Sequence, residues 1–388
     1  MTQFGLSERQ QEYVDHVRDL ATTKLDLPPP GDGPGRVDRA LLGSLGRLGL
    51  LRGLFGGDPS QPPRDAAAMQ LCLLRETLAM VSTEAETALA LQGLGSYPIL
   101  QAGSAQTVER WLPGVVTGEV VAGFALSEPA AGSDAAALSL RADRDAGGWL
   151  LSGEKTWISN APEADVYTVF ARTTPASGAR GVTAFAVAGD ATGLTGEHLD
   201  LLAPHAIGRL TFDGVRVGPA DVLGEVDAGF AVAMRTLDLF RPSVGAFAVG
   251  MAQAALDATV AWSTERVVHG APLHRQQSVE HTLAEMATRV QASRLLVRAA
   301  AAAYDEGADP RHVTTSAAMA KLFATESAQW VVDQAVQLHG ARALQRGHLL
   351  EHLYREVRAP RIYEGASEVQ RTVIGRALVR EAQERSTR

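Results

Sequence analysis

What most constrains this chain is that its hydrophobic periodicity changes twice. From Ser7 to about Val121 apolar residues recur at helical spacing. From about Ala122 to Glu225 they form short β-branched and aromatic runs bounded by Gly, Asp or Asn, such as "GGWLLSGEKTWISN", "ADVYTVFART", "GVTAFAVAGD" and "GRLTFDGVRV". From Gly229 helical spacing returns and lasts to the end. The expected class is therefore α+β in three units: an N-terminal helical domain over 1–121, a middle β domain over 122–225, and a C-terminal helical bundle over 226–388. A length of 388 residues is enough for two or three packed units.

Within the first unit, "SERQQEYVDHVRDLATTKL" opens with a Ser-x-x-Gln capping pattern. "PPPGDGPGR", Pro28 to Arg36, reads as a loop. "RDAAAMQLCLLRETLAMVSTEAETALALQGL" reads as one long helical tract or two helices, and "SAQTVERWLPGVVTGE" as another whose pattern Pro113 breaks. The middle unit reads as a small antiparallel barrel or sandwich. In the last unit three long helices are expected, the second ended by Gly307 and the third by Gly340.

Composition excludes several functions. With 46% hydrophobic and 21% charged residues the chain is an ordinary globular one. A net charge of −8, with arginines scattered among acids, argues against a nucleic-acid partner. The single cysteine, Cys72, forbids an intramolecular disulfide and any multi-cysteine metal site, and its apolar neighbours make it a small core residue. His348 and His352 are four apart, but "HLLEH" lacks the glutamate of H-E-x-x-H, so no metal is expected. No segment reads as a membrane span and no signal core opens the chain, so a cytoplasmic location is expected. No phosphate-binding loop, dinucleotide glycine fingerprint or G-x-S-x-G elbow is present. Glu364, between Tyr363 and Gly365 in "RIYEGASEVQR", stands out as an acid with no assigned role.

Five stretches, in order and at fitting separations, carry a resemblance: "FALSEPAAGSD", "GEKTWISN", "LFRP", "QLHGARAL" and "RIYEGASEVQR". Together they resemble the acyl-CoA dehydrogenase family of FAD-dependent flavoenzymes, over nearly the whole chain. The resemblance implies a helical domain, a β-barrel or sandwich and a four-helix bundle. It implies FAD as cofactor, an acyl thioester as substrate, electron-transfer flavoprotein or another acceptor as partner, and a homo-oligomer, usually a tetramer.

It also implies site residues. Phe124, Leu126 and Ser127 would line the flavin ring, and Ser133 would reach the pyrophosphate and the substrate side. Trp157 would pack on the ring and Ser159 would place a hydroxyl by N5. Asp238, Arg241 and Gly365 would meet the substrate. Arg266, Gln277, Gln337 and Gly340 would reach FAD across a subunit boundary, and Ala366 and Glu368 would lie beside the cofactor. Glu364 matches the catalytic base, which removes the substrate's α-proton while the β-hydride goes to flavin N5. The alternative base position of some relatives is Phe240 here, which cannot take a proton.

The chain departs from the family pattern at His269, Ala341, Ala343, Leu344, Ala366 and the pair Arg355–Glu356, and its segment "LLAPHAIGRLTFDGVRVGP" is short. These departures motivate an alternative in which the thioester is borne by a carrier protein; a non-catalytic scaffold is a third reading. Ala88, Ala90 and Gly93, with Gln92, are expected to floor the acyl pocket and leave it room.

Overall fold

The computed structural model describes residues 5–27, 35–56, 63 and 65–386. Most of the expected loop from Pro28 to Arg36 lies outside the described residues.

The first unit holds helices α1 (Glu8–Thr23), α2 (Arg39–Arg47), α3 (Ala68–Ala79), α4 (Thr83–Ala102) and α5 (Ala105–Thr117). The capping box at Ser7 forms as expected: Ser7 Oγ accepts from the Gln10 N–H at 3.3 Å and Gln10 Oε1 accepts from the Ser7 N–H at 2.9 Å. The long tract resolves into two helices, because Ser82 adopts extended backbone and caps α4 through the Ala85 N–H at 3.1 Å. Pro113 does not break α5, contrary to the sequence expectation. Pro113 and Glu109, whose carbonyl loses its helical partner, are both exposed, where solvent reduces the cost of that lost bond.

The middle unit is one eight-stranded sheet: β1 (Ala122–Ala125), β2 (Arg141–Asp145), β3 (Gly148–Ser159), β4 (Val166–Arg172), β5 (Val182–Ala188), β6 (Leu194–His198), β7 (Ile207–Val217) and β8 (Val222–Leu223). It is not wholly antiparallel. β1 runs parallel to β4, with Ala122 opposite Val166 and Ala125 opposite Val169, because the chain reaches β4 only after the β2–β3 hairpin has reversed it twice. Trp149, Phe170 and Phe185 fill the sheet's core, with Trp149 edge-on to Phe185 at 5.5 Å.

The last unit comprises α6 (Gly229–Glu265), a two-residue hairpin β9 (Val267–Val268) and β10 (Ala271–Pro272), then α7 (Gln277–Asp305), α8 (Pro310–His339), α9 (Leu349–Glu356) and α10 (Ser367–Ser386). Glycines at 307 and 340 follow α7 and α8, both with positive φ. Helix α6 corrects one expectation: it is apolar and long enough to cross a membrane. Its apolarity has a different cause, since every residue from Leu239 to Ala252 is buried and the helix packs against α3, α7 and α8. Cys72 is buried in α3, where desolvation pushes its thiol far up.

Helix α4 is the spacer between the sheet and the bundle. A Cβ on Gly95 would lie 2.6 Å from the Gly123 nitrogen of β1, and one on Gly93 would lie 2.9 Å from the Phe240 ring of α6. Gly93 is therefore small because two elements approach it, not because it leaves space. Gln92, between them, is fully buried and gives its amide to the backbone: Nε2 donates to the Val120 carbonyl and Oε1 accepts from the Ala122 N–H, both at 2.7 Å. It is a tie from α4 to β1 rather than a polar group lining a pocket.

Candidate active site

Three clusters gather the residues singled out by sequence. The first lies where β1 leaves the sheet beside the end of β3. Phe124 and Leu126 are each 7% exposed, and Phe124 packs on Phe170 at 5.0 Å. Ser127 follows, and its carbonyl accepts from the Thr156 N–H at 3.0 Å, which brings Trp157 and Ser159 to the same corner. The Asn160 amide adds a bond to the Ala122 carbonyl at 2.8 Å. Ser133 stands exposed in the loop beyond.

Sequence reasoning passed over the pair that fixes this corner. Lys155 is fully buried, and its ammonium donates to Glu128 Oε1 at 2.8 Å and to the Leu126 carbonyl at 2.9 Å. Glu128 also accepts from the Ser139 and Leu140 N–H groups at 2.6 and 2.9 Å. Burial pushes Lys155 down to about 8, with Glu128 opposing that fall. The available signal was a lysine at an inward position of a strand pattern.

Trp157 is unusual on two counts. It sits at φ 60 in a register break of β3 between Lys155 and Ile158, and its side chain is 58% exposed. A bulky residue at positive φ costs about 1–3 kcal/mol and persists only where its surroundings impose it. Here the imposition leaves a large aromatic ring mostly exposed at the corner that the backbone shares with Phe124, Leu126, Ser127 and Ser159.

The second cluster surrounds Glu364, in the loop before α10. Glu364 has φ 51, and its Oε2 is buried with no hydrogen-bond partner among the described residues. Desolvation raises its pKa, opposed by Arg75, Lys321 and Arg241. The loop backbone is held by three side chains. Arg241 Nε donates to the Glu364 carbonyl at 3.2 Å, Lys321 Nζ to the Gly365 carbonyl at 2.7 Å, and Gln370 Nε2 to both, at 3.3 and 2.9 Å. Asp238 pairs with Arg241 at 3.1 Å and accepts from Thr314 at 2.7 Å. Arg75 is buried against Glu86 and donates to Ser243 at 2.7 Å. Ala366 contributes only a carbonyl, bonded by the Gln370 N–H, and Glu368 is exposed and paired with Arg371 at 3.2 Å.

The third cluster is a cleft of about 360 Å³ at the far end of α6 and α8, lined by Arg266, Gln337 and Gly340 with Trp262, His339 and Arg342. Arg266 and Arg342 both lie over the Trp262 ring, at 5.8 and 5.0 Å. Gly340 adopts φ 66 and ψ −149, a conformation open essentially to glycine alone. Gln277 opens α7, exposed and outside this lining.

Two departures noted in the sequence prove to be one feature. His205, in the short segment before β7, meets Glu356 of α9 at 2.7 Å, and Arg355 donates to the Leu202 carbonyl at 3.5 Å. Behind them His352 contacts Thr83 at 2.5 Å. His348 caps α9 by accepting from the Leu350 N–H, and no group of metal-binding side chains forms among the described residues.

The donor set suits a flavin dinucleotide. An exposed aromatic ring at a strand corner that also holds apolar and hydroxyl residues fits a tricyclic ring, and two arginines with a glutamine amide fit phosphates despite lying at helix C-termini. Known proteins agree. Profiles described as the N-terminal, middle and C-terminal domains of acyl-CoA dehydrogenase match residues 7–119, 123–215 and 227–379. The cyclohexane-1-carbonyl-CoA dehydrogenase of Geobacter metallireducens is 34% identical, covering 98% of this chain and 100% of that protein. The structure of butyryl-CoA dehydrogenase from Megasphaera elsdenii superimposes with a TM-score of 0.90 at 33% identity, covering 97% of this chain and 100% of that one. A structure described as PigA with FAD and proline reaches a TM-score of 0.90 at 25% identity, covering 97% and 99%. On its architecture, its three matched domains and these relatives, the chain belongs to the acyl-CoA dehydrogenase family of FAD-dependent oxidoreductases.

Proposed function

We propose that this protein desaturates an acyl-CoA thioester between its α and β carbons, with Glu364 as the base. The observation that carries the reading is the buried, unpartnered Oε2 of Glu364 on a backbone at φ 51. A desolvated carboxyl with no hydrogen-bond donor has raised proton affinity and a free lone pair, which is what removal of a weakly acidic C–H requires. The α-proton goes to Glu364, and the electron pair of that C–H bond forms the new α,β double bond. Bound FAD supplies the two-electron acceptor for the hydride that leaves the β carbon. Around that exchange, Trp157, Phe124 and Leu126 would exclude water and hold the ring plane, Ser127 and Ser159 would donate hydroxyls, and Ser133 would reach the pyrophosphate. Asp238 and Arg241 order the α6 turn against which the thioester arm would lie, and Gly365 allows that arm close to the backbone.

A homo-oligomer is part of the proposal. Arg266 follows Arg241 by 25 residues of one helix and its cap, which separates the Glu364 end from the Arg266 cleft by roughly 37 Å along the axis at ~1.5 Å per residue. The two ends are therefore assigned to different cofactors, with the Arg266–Gln337–Gly340 cleft and Gln277 serving a neighbouring subunit's FAD.

An anaerobic absorbance titration with a panel of acyl-CoA esters tests the reaction. Bleaching of bound flavin by one ester in the native protein, and none in a Glu364→Gln protein that retains FAD, is expected. Full turnover by Glu364→Gln overturns the assignment. A flavin reduced only by carrier-bound acyl groups, and by no CoA ester, transfers the proposal to the carrier reading.

A further inference from the structure

Lys321 has no place in the reaction as derived so far, yet it is the charged group most intimately tied to the base loop. It lies in the middle of α8, fully buried. Among the described residues its one hydrogen bond is to the Gly365 carbonyl, at 2.7 Å, one residue beyond Glu364. A buried ammonium with a single neutral acceptor is poorly compensated for its lost hydration, since three donors meet one oxygen. The loop does not need it as a tether, because Gln370 also bonds the Gly365 carbonyl and Arg241 bonds that of Glu364.

We infer that Lys321 is a positioning residue whose buried positive charge, one residue from the base, helps to lower the proton affinity of Glu364. The inference rests on the assignment of Glu364 as the base. Every element around the lysine supports an electrostatic role. On the loop, Glu364 is the largest favourable partner of its charge. On α6, Arg241 opposes it, itself neutralised by Asp238 at 3.1 Å. On α8 and α10, Glu326 and Glu368 favour it more weakly, and Glu326 is already engaged by Arg361 at 2.8 Å and by Ser367. From α3, Arg75 is the largest favourable charge on Glu364, ahead of Lys321, but it is committed to Glu86. Among the described residues, Lys321 is thus the one of the three cations acting on Glu364 that is paired with no carboxylate at hydrogen-bond range. Desolvation pushes the ammonium down to about 8.

The sign of the effect follows directly. A nearby cation stabilises the carboxylate of Glu364 and lowers its pKa against the rise that burial imposes. Removing the cation raises the pH at which Glu364 gives up its proton. The alkaline side follows the lysine itself, because an arginine at that position keeps its charge where a lysine loses it.

The test follows the protonated-carboxyl infrared band of Glu364 against pH, identified as the band missing in Glu364→Gln. This readout needs neither turnover nor substrate. In Lys321→Met the midpoint is expected to move up by about one pH unit or more, and the acidic limb of substrate-dependent flavin reduction to move with it. Lys321→Gln, which keeps a donor without the charge, is expected to shift equally, and Lys321→Arg to restore the native midpoint. Should the methionine protein fail to fold, the glutamine protein carries the same criterion. A midpoint unchanged in the uncharged variants overturns the inference even when Glu364→Gln is inert. A shifted midpoint together with an active Glu364→Gln upholds the electrostatic pairing and overturns instead the assignment of the base.

Discussion

Lys155 and Leu126 are joined by a bond from a fully buried ammonium to a backbone carbonyl, 2.9 Å long, and this bond fixes where β1 hands over to the loop that follows it. Replacing Lys155 with Met leaves Glu128 buried with its charge uncompensated, apart from the bonds to Ser139 and Leu140. Breaking a buried pair from one side costs about 3–5 kcal/mol. Thermal unfolding of Lys155→Met is expected to show a loss of that order, with flavin lost from the purified protein. A variant as stable as the native chain, with full flavin content, would remove the pair from this role.

Trp157 should behave in the opposite way. Its ring is mostly exposed and its backbone strained, so Trp157→Gly relieves positive φ and is expected to leave the unfolding midpoint of the flavin-free protein unchanged or raised by up to about 1 kcal/mol. Flavin affinity, read by equilibrium dialysis, is expected to fall at least tenfold. Stability lost together with undiminished affinity would mark Trp157 as a core residue.

Gly95→Ala tests the spacer. The added methyl would meet backbone of β1 at 2.6 Å, which no rotamer change relieves. Forcing α4 and β1 apart costs about 1–3 kcal/mol. A denaturant midpoint lowered by that amount, with an unchanged slope, is the expected result.

The His205–Glu356 bridge predicts a pH-dependent fastening of the short segment before β7. Burial lowers the proton affinity of His205, but Glu356, hydrogen-bonded to it, with Glu84 and Glu86 behind, outweighs burial and raises it above 6.5. Glu356 suffers burial too, and His205 still holds it below 4.5. A histidine raised on folding contributes stability that is fully present below 6.5 and fades as pH rises through its folded value. For Glu356 the contribution is present above 4.5 and fades as pH falls through its lowered value. The stability gap between native protein and His205→Gln is therefore expected to be widest between those limits and to narrow toward alkaline pH. A gap constant from acid to alkaline conditions would mean the bridge is not an ion pair.

Much of this was legible in the sequence because periodicity is a local property. The long helices α6, α7 and α8 and strands β3, β4, β5 and β7 came from runs long enough to show a period. Strands β1, β2, β6 and β8 were not seen, since four or five residues, or two, hold too few alternations, and β1 pairs in a direction that only the fold decides. The family motifs marked Glu364, Trp157 and Arg241. They gave no role to Lys321, or to Glu128 although it lies inside one motif; the partners of these two are 44 and 27 residues away, so their burial emerges only from packing. Gly93 misled for a related reason: a glycine that makes room and a glycine that is crowded look alike until its neighbours are known.

The length of α6 carries a last consequence. One helix bears Arg241, which holds the Glu364 loop, about a third of the way along and the Arg266 cleft at its C-terminus, so under the proposed assembly neither part completes a flavin site within its own subunit. Cofactor retention and subunit association then become one linked equilibrium: dilution strips flavin, and added flavin drives reassociation. Shelf stability of the purified protein would depend on its concentration as much as on its sequence.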